Sequence, residues 1–183
     1  MQEVNVKMTE PVWEEIYEKL PTRPDQKQER FDMFDTFDPN GNGILSLAEV
    51  DKAIRDVLAI DEIFDAKPAI MRAFQAAKAC GKGRPDVGDD YIEKLEFKRF
   101  LLGLRMYFEY WVAFKRIDAD DDRRISFEEF SAAEETMKKW ISNLGDLKEE
   151  FDTIDENDGG MILFHEFCKW AIGKSLDLED DDD

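Results

Sequence analysis

The sequence predicts an all-α protein that is built from four helix-loop-helix units and organised as two paired lobes. Two observations support this prediction. Apolar residues recur at helical spacing on both sides of short loops rich in aspartate, asparagine and glycine, and the whole pattern repeats along the chain. No flexible linker separates the halves, because residues 95–117 form a nearly continuous apolar helical segment in which Gly103 could allow a bend. We therefore expect the lobes to pack together, with short β contacts between paired loops.

The repeat divides the chain into four regions. Residues 1–24 form an N-terminal segment with a short helix, and residues 25–104 and 105–174 form the two pairs of units. Residues 175–183 form an acidic tail that ends in LDLEDDDD. A block of like charge has little to bury, so we expect the tail to be disordered, either free in solvent or tethering a basic partner.

The N-terminal helix follows from a cap and an apolar stripe. Thr9 can cap it, and Pro11 lies in its first turn, where no amide donor is needed. Its apolar residues recur at helical spacing: Val12, Trp13, Ile16, Tyr17 and Leu20. Such a helix either packs on the core or docks on a partner. The following segment, PTRPDQ, should end this helix.

Loop one, residues 38–49, reads DPNGNGILSLAE and carries an oxygen donor at each alternate position that calcium needs. The predicted ligands are Asp38, Asn40, Asn42, the Ile44 carbonyl, Ser46 and Glu49. Calcium takes six to eight oxygens in a flexible shell, and the twelve-residue EF-hand loop supplies them at these positions. Gly43 occupies the sixth position, where the chain turns with positive φ. The loop predicts a calcium site between two helices.

The second unit has lost its loop. Ile92 and Glu96 remain at the eighth and twelfth positions, but Pro85 and Val87 fall where side-chain oxygens are required. We expect this hand to be a structural mate of hand one, with Leu45 paired against Ile92. The alternative is an irregular site formed by four acids: Asp86, Asp89, Asp90 and Glu96.

Loop three, residues 118–129, reads DADDDRRISFEE. Its predicted ligands are Asp118, Asp120, Asp122, the Arg124 carbonyl, Ser126 and Glu129. Arg123 occupies the glycine position, and a left-handed conformation costs a residue with a side chain about 1–2 kcal/mol. The four acids repel one another, which favours the arrival of a cation. We expect loop three to bind calcium at a reduced affinity.

Loop four, residues 155–166, reads DENDGGMILFHE and is less complete. Its predicted ligands are Asp155, Asn157, the Met161 carbonyl and Glu166. Gly159 and Leu163 supply no side-chain oxygen, so water must replace them at a cost in affinity. Ile125 and Ile162 should pair loops three and four. His165, at the eleventh position, should point into solvent rather than bind zinc.

Composition excludes several classes of function. The 183 residues carry 44 acids against 25 bases, a net charge of −19, which argues against nucleic-acid binding. Cys80 and Cys168 lie far apart, as expected for reduced thiols in the cytoplasm. The start MQEV predicts neither a signal peptide nor N-myristoylation, and no apolar run is long enough to span a membrane. One histidine, two separate cysteines and no phosphate-binding glycine loop predict that the chain is not an enzyme.

The chain resembles the calflagins, the flagellar calcium-binding EF-hand proteins of trypanosomes. The resemblance lies in WEEIYEKLP, QKQERFDMFDTFD, AFQAAKACG and YIEKLEFKRFLLGLRMYFEYW. It implies four hands of which some are defective, and a ciliary or flagellar setting. The family's N-terminal acylation does not carry over to MQEV, and the best loop here is the first rather than one of the C-terminal pair.

These observations leave three functions open. The first is a calcium sensor or regulatory adaptor that exposes an apolar groove to an unidentified protein partner, which could be cytoskeletal or ciliary. The alternative is a structural component of an axonemal, microtubule-associated assembly with partly vestigial calcium sites. A calcium buffer, which binds without exposing apolar surface, is the third.

Overall fold

The computed structural model describes residues 10–78 and 90–178. The chain divides into a first unit that ends at Phe108 and a second unit that begins at Glu109. Within the described residues, no helix has both the length and the apolar character needed to cross a bilayer.

The first unit contains two helix-loop-helix hands behind an N-terminal helix. A 3₁₀ turn at Pro24–Gln26 separates this helix from hand one, and a π-helical turn at Ile54–Leu58 follows hand one. The elements are α1 (Glu10–Lys19), α2 (Lys27–Phe37), β1 (Ile44–Leu45), α3 (Leu47–Ala53), α4 (Asp61–Asp65), α5 (Lys67–Lys78), β2 (Ile92–Glu93) and the first part of α6 (Phe97–Ile117).

Helix α1 packs on the core of the first unit. This is the first of the two alternatives that the sequence left open, packing on the core or docking on a partner. Ile16 and Leu20 are buried, and the Trp13 ring meets the edge of the Phe108 ring with centroids 5.6 Å apart. The Lys19 ammonium donates a hydrogen bond to the Leu58 carbonyl at 2.7 Å. Thr9, the predicted cap, lies outside the described residues.

Hands one and two share a single aromatic core. Phe97, at the start of α6, packs edge-on against Phe34 and Phe37 of α2, with centroid distances of 5.4 and 5.3 Å, and stacks on Phe100. Strands β1 and β2 pair antiparallel, and Leu45 lies opposite Ile92 with both side chains fully buried. The predicted pairing of loop one with the defective hand is confirmed.

Helix α6 runs without interruption from Phe97 to Ile117, so the segment is not divided into two helices at Gly103, as the sequence had allowed. A β carbon at Gly103 would lie 3.5 Å from the Ala73 Cα atom, an ordinary contact distance. The glycine thus faces the backbone of α5 in a close helix–helix crossing. An alanine at this position would make only ordinary contacts with Ala73, so the packing admits glycine without requiring it.

The second unit contains the other two hands. Its elements are the remainder of α6, β3 (Arg124–Ser126), α7 (Phe127–Ala132), α8 (Glu134–Trp140), α9 (Leu147–Ile154), β4 (Met161–Leu163) and α10 (Phe164–Lys174). Strands β3 and β4 pair antiparallel, with Ile125 opposite Ile162 and both fully buried, which confirms the second predicted pairing. The Phe114 ring packs edge-on against Phe164 and Phe167, with both centroid distances at 5.5 Å.

The beginning of the acidic tail packs on the second unit. Leu176 and Leu178 are buried. The Leu178 amide donates to the Glu109 carboxylate at 2.7 Å, and the Asp177 amide donates to the Trp140 carbonyl at 3.3 Å. In LDLE the two leucines alternate with acids, so they can be buried together while the acids face solvent. The high overall charge of the tail hides this pattern in the sequence. Residues 179–183 lie outside the described part of the chain.

Candidate metal centre

Loop one is held by hydrogen bonds to its first acid. The Asp38 carboxylate is buried at the end of α2 and accepts the Gly43 amide at 2.7 Å and the Asn42 amide at 3.3 Å. The Asn40 side-chain oxygen accepts the Asn42 amide at 3.0 Å. These bonds wrap the backbone around the side-chain oxygens, because each donor comes from a residue later in the same loop.

The last acid of loop one closes the ring. The Glu49 carboxylate accepts the amide and the hydroxyl of Ser46, at 2.9 and 2.7 Å, and it also accepts a hydrogen bond from the Asn40 side-chain amide. Ser46 in turn caps α3 by accepting the Glu49 amide at 3.3 Å. The structure therefore brings the predicted ligands at the third, ninth and twelfth positions together.

Loop three repeats this arrangement. Asp118, buried at the end of α6, accepts the Asp122 and Arg123 amides, each at 3.1 Å, and Glu129 accepts the Ser126 amide and hydroxyl, each at 2.8 Å. Carboxylate oxygens of Asp118, Asp120 and Glu129 all lie within 4.8 Å of one another, which is close enough to share one metal ion. Three of the four predicted acids thus converge.

The pKa values of the first and last acids of loop three are shifted in opposite directions. Burial raises the pKa of Asp118, although the Lys115 ammonium and the loop amides counteract it. Burial also acts on Glu129, but hydrogen bonds from Ser126 and from the loop amides outweigh it and lower the pKa of that carboxyl. Glu129 is therefore prepared as an anion, whereas Asp118 is a buried acid that a cation would stabilise in its charged form.

Loop four keeps the same framework with fewer donors. Asp155 accepts the Gly159 and Gly160 amides at 3.0 and 2.7 Å. Glu166, which is buried, accepts the Leu163 amide at 2.8 Å and the Asn157 side-chain amide at 2.6 Å. The structure brings Asn157 and Glu166 together and ties Asp155 to the backbone of the same loop. The fifth and ninth positions contribute only backbone, as expected.

Gly159, at the fifth position of loop four, lies against the Asn157 side chain. A β carbon on Gly159 would lie 2.4 Å from the Asn157 side-chain oxygen, far inside contact distance. A side chain at the fifth position would therefore require the Asn157 side chain to move.

Two positions in each of loops one, three and four are left-handed, and sequence reasoning identified only one of the two. At the sixth position Gly43, Arg123 and Gly160 have φ of 80°, 68° and 76°. The fourth position is also left-handed, with Gly41, Asp121 and Asp158 at 69°, 62° and 53°. Glycine and aspartate are among the residues that best tolerate this region, and their recurrence at the fourth position was the available signal.

Replacing Arg123 with glycine should tighten cation binding by loop three. The structure confirms the left-handed backbone at this position, and glycine would relieve about 1–2 kcal/mol of strain, or roughly five- to thirtyfold in affinity if binding supplies that energy. Calorimetric titration of the wild type and the variant measures the change. Weaker binding by the variant would mean that the Arg123 side chain helps to hold the ion.

In the defective hand, Glu96 keeps the closing contact that the last glutamate makes in loops one, three and four. The Glu96 carboxylate accepts the Glu93 amide at 2.9 Å, as the twelfth residue does in the other loops, while Lys78 pairs with Asp90 at 3.1 Å. Asp86 and Asp89, the other acids of the alternative site, lie outside the described residues. This contact lies immediately before the start of α6.

A separate polar cluster joins the two helices of hand four. The Glu150 carboxylate on α9 accepts the Trp170 indole N–H at 2.8 Å and the Gly145 amide at 3.0 Å, and it forms an ion pair with Lys174. Burial opposes its ionisation, but the Lys174, Trp170 and Gly145 hydrogen bonds outweigh burial and lower the pKa of Glu150. The ionised carboxylate is the form that stabilises the hand.

Replacing Glu150 with glutamine should destabilise the protein by about 1–3 kcal/mol at neutral pH, since a charged acceptor of several hydrogen bonds is lost. The pKa of Glu150 in the folded state lies below its ordinary value of 4.5. Its contribution is therefore present above pH 4.5 and is lost as the pH falls through the folded pKa. Denaturant unfolding at several pH values should give a difference between wild type and variant that shrinks with acidification. A difference that grew towards acid would contradict this sign.

The donor sets of the three loops suit a hard divalent cation. Each loop offers carboxylate, amide or hydroxyl oxygens, and the residues whose carbonyls were predicted to bind lie in the strands: Ile44 in β1, Arg124 in β3 and Met161 in β4. Oxygen-only donor sets favour calcium or magnesium over softer transition metals, and a flexible loop that closes with one glutamate suits calcium. His165, at the eleventh position of loop four, is exposed, as predicted, and Cys168 is a buried thiol that lies after the last residue of that loop.

Comparison with known proteins places these loops in context. The model of the FCaBP EF-hand domain matches residues 16–104. The chain is 35% identical over 175 residues to flagellar calcium-binding protein TB-17 of Trypanosoma brucei brucei, covering 93% of this chain and 75% of that protein. It is 33% identical to the flagellar calcium-binding protein of Trypanosoma cruzi, covering 93% and 83%. A solved homologue of programmed cell death 6 protein from Leishmania major Friedlin matches at 19% identity with a TM-score of 0.37, over 78% of this chain and 70% of that one.

Proposed function

The chain belongs to the family of flagellar calcium-binding EF-hand proteins, and we propose that it acts as a calcium sensor or regulatory adaptor. The observation that carries the proposal is the framework that three loops share. In each, the first acid accepts the amides of the fifth and sixth residues, and the last glutamate accepts the amide of the ninth. Donors held in this way need little rearrangement to surround an ion.

In this proposal, loops one, three and four differ in their affinity for calcium. Loop one is the tightest site, because all its positions carry the expected donor and its sixth residue is glycine. Loop three follows, weakened by the strain at Arg123. Loop four is the weakest, since its fifth and ninth positions supply only backbone. Hand two binds no ion and supports hand one through the β1–β2 contact and the Phe97 cluster.

A structural role within a flagellar assembly is the second candidate. The specific observation in its favour is that Glu96 keeps its closing contact with Glu93 in a hand that lacks the first-position acid. In this alternative, a hand that is useless for calcium has been kept for its architecture, and the remaining sites are partly vestigial.

The names of the relatives support a proposed setting, although they name no partner. Their names describe flagellar proteins, and we propose a cytoplasmic protein of the flagellum or cilium with a cytoskeletal or ciliary protein partner. The relatives are named for calcium binding rather than for a reaction, and the proposal assigns no catalytic activity to this chain.

Two measurements test the sensor role. Calcium should raise the fluorescence of a dye that reports exposed apolar surface, and magnesium at the same concentration serves as the control. Capture of partners from a flagellated cell extract should then require calcium and disappear with chelator. Capture that persists in excess chelator would favour the structural role, and calcium binding without any dye response would indicate a buffer.

A further inference from the structure

We propose that Arg124 is an internal counter-cation that holds Asp122 out of the donor group of loop three and so sets the calcium affinity of that loop. The inference rests on the proposed binding of calcium by loop three. The sequence predicted only that the Arg124 backbone carbonyl would bind calcium, whereas this role belongs to the Arg124 side chain.

The contacts of Asp122 carry the inference. One carboxylate oxygen accepts the Arg124 backbone amide at 2.8 Å. The other accepts two hydrogen bonds from the Arg124 guanidinium, from Nε at 3.1 Å and from Nη2 at 2.8 Å. Both oxygens are therefore engaged by the same residue. Charge-assisted contacts of this kind are the stronger class of protein hydrogen bond.

Asp122 does not join the group of converging acids in loop three. The acids whose oxygens converge within 4.8 Å are Asp118, Asp120 and Glu129, and Asp122 is absent from the group among the described residues. The fifth position of the loop is a predicted ligand, so the converging set lacks one expected carboxylate. The Arg124 guanidinium supplies the positive charge that an ion would otherwise supply to Asp122.

Loop one has the equivalent backbone contact, in which the Asn42 side-chain oxygen accepts the Ile44 amide at 3.0 Å, so the guanidinium contact is what distinguishes loop three. The residues at the fifth and seventh positions are Asn42 and Ile44 in loop one, and Gly159 and Met161 in loop four. Neither combination can form an ion pair. A second cation lies beside loop three, because Lys115 on α6 lies 3.7 Å from the Asp118 carboxylate and pairs with Asp121. Arg124, unlike Lys115, belongs to the loop itself.

Recruitment of Asp122 by an incoming ion requires the Arg124 contact to break. The side chains of Arg124 and Asp122 are 51% and 29% exposed, so water weakens the pair. Exposed ion pairs of this kind correspond to about a two- to fivefold change in an equilibrium constant. Replacing Arg124 with glutamine should therefore tighten calcium binding to loop three by about two- to fivefold.

The experiment isolates loop three and breaks the pair from both sides. In full-length protein carrying Glu49→Gln and Glu166→Gln, remaining calcium binding is measured by calorimetry with and without Arg124→Gln. The same comparison is repeated in an Asp122→Asn background, where the pair no longer exists and Arg124→Gln should have little effect. An independent readout is the NMR signal of the Arg124 Nε–H group, which should shift when calcium is added and the pair breaks.

Arg123→Gln is the matched control, since it removes the same charge from the neighbouring position without touching Asp122. Equal tightening by the two substitutions would overturn the inference, because general charge would then explain both. Unchanged or weaker binding by Arg124→Gln would also overturn it. If the isolating background binds no calcium, and Glu129→Gln leaves wild-type stoichiometry unchanged, then the proposed function of loop three fails instead.

Discussion

Replacing Glu49 with glutamine is expected to remove the tightest calcium site of the protein. Glu49 is the residue on which the hydrogen bonds of Ser46 and Asn40 converge, and it is the acid that can offer two oxygens to an ion. Loss of a contact that merely supports a ligand typically costs 10–100-fold in metal affinity, and loss of a charged ligand should cost more than about 100-fold. Calorimetric titration should register one fewer high-affinity site.

Glu62→Gln is the control for this substitution. Glu62 is an exposed acid on α4 in the same unit and lies outside the loops, so the same change of charge there should leave stoichiometry and affinity near those of the wild type. If Glu49→Gln and Glu62→Gln titrate alike, the tightest site is not loop one. Thermal unfolding in chelator should separate loss of binding from loss of folding.

The loops could be predicted in detail because their information is local. Side-chain oxygens at alternate positions, a glycine at a fixed turn and one closing glutamate all fall within twelve residues, so spacing alone relates them. The pairing of Leu45 with Ile92 and of Ile125 with Ile162 followed from the eighth position of each loop, and the register of both strand pairs agrees. These features need no knowledge of the rest of the chain.

The features that sequence reasoning missed depend on side-chain rotamers and on contacts between residues that are distant in the chain. Nothing in the spacing of DADDDRRISFEE says that the Arg124 guanidinium folds back on Asp122 rather than extending into solvent, since both rotamers suit a strand. A bend at Gly103 was allowed because the sequence does not reveal that Ala73 lies against it. The burial of Leu176 and Leu178 likewise depends on Glu109 and Trp140, which are distant in the chain.

Replacing Phe97 with alanine should lower the free energy of unfolding by about 3–5 kcal/mol, since Phe97 is fully buried and contacts three other rings. The same change should weaken calcium binding by loop one, because Phe34 and Phe37 belong to the helix that leads into Asp38. Binding by the second unit should change less. Denaturant unfolding gives the stability, and titration in a Glu129→Gln, Glu166→Gln background isolates loop one.

Leu95→Ala provides the comparison, because Leu95 belongs to the same hand but is 81% exposed, and its loss should change neither stability nor affinity appreciably. Phe97→Leu keeps most of the apolar volume and covers the case in which the alanine variant does not fold. Reduced stability with unchanged loop-one affinity would mean that hand two supports the fold but not the site. A loss of affinity that follows the size of the side chain would mean that a hand without a working loop still determines how tightly its neighbour holds an ion.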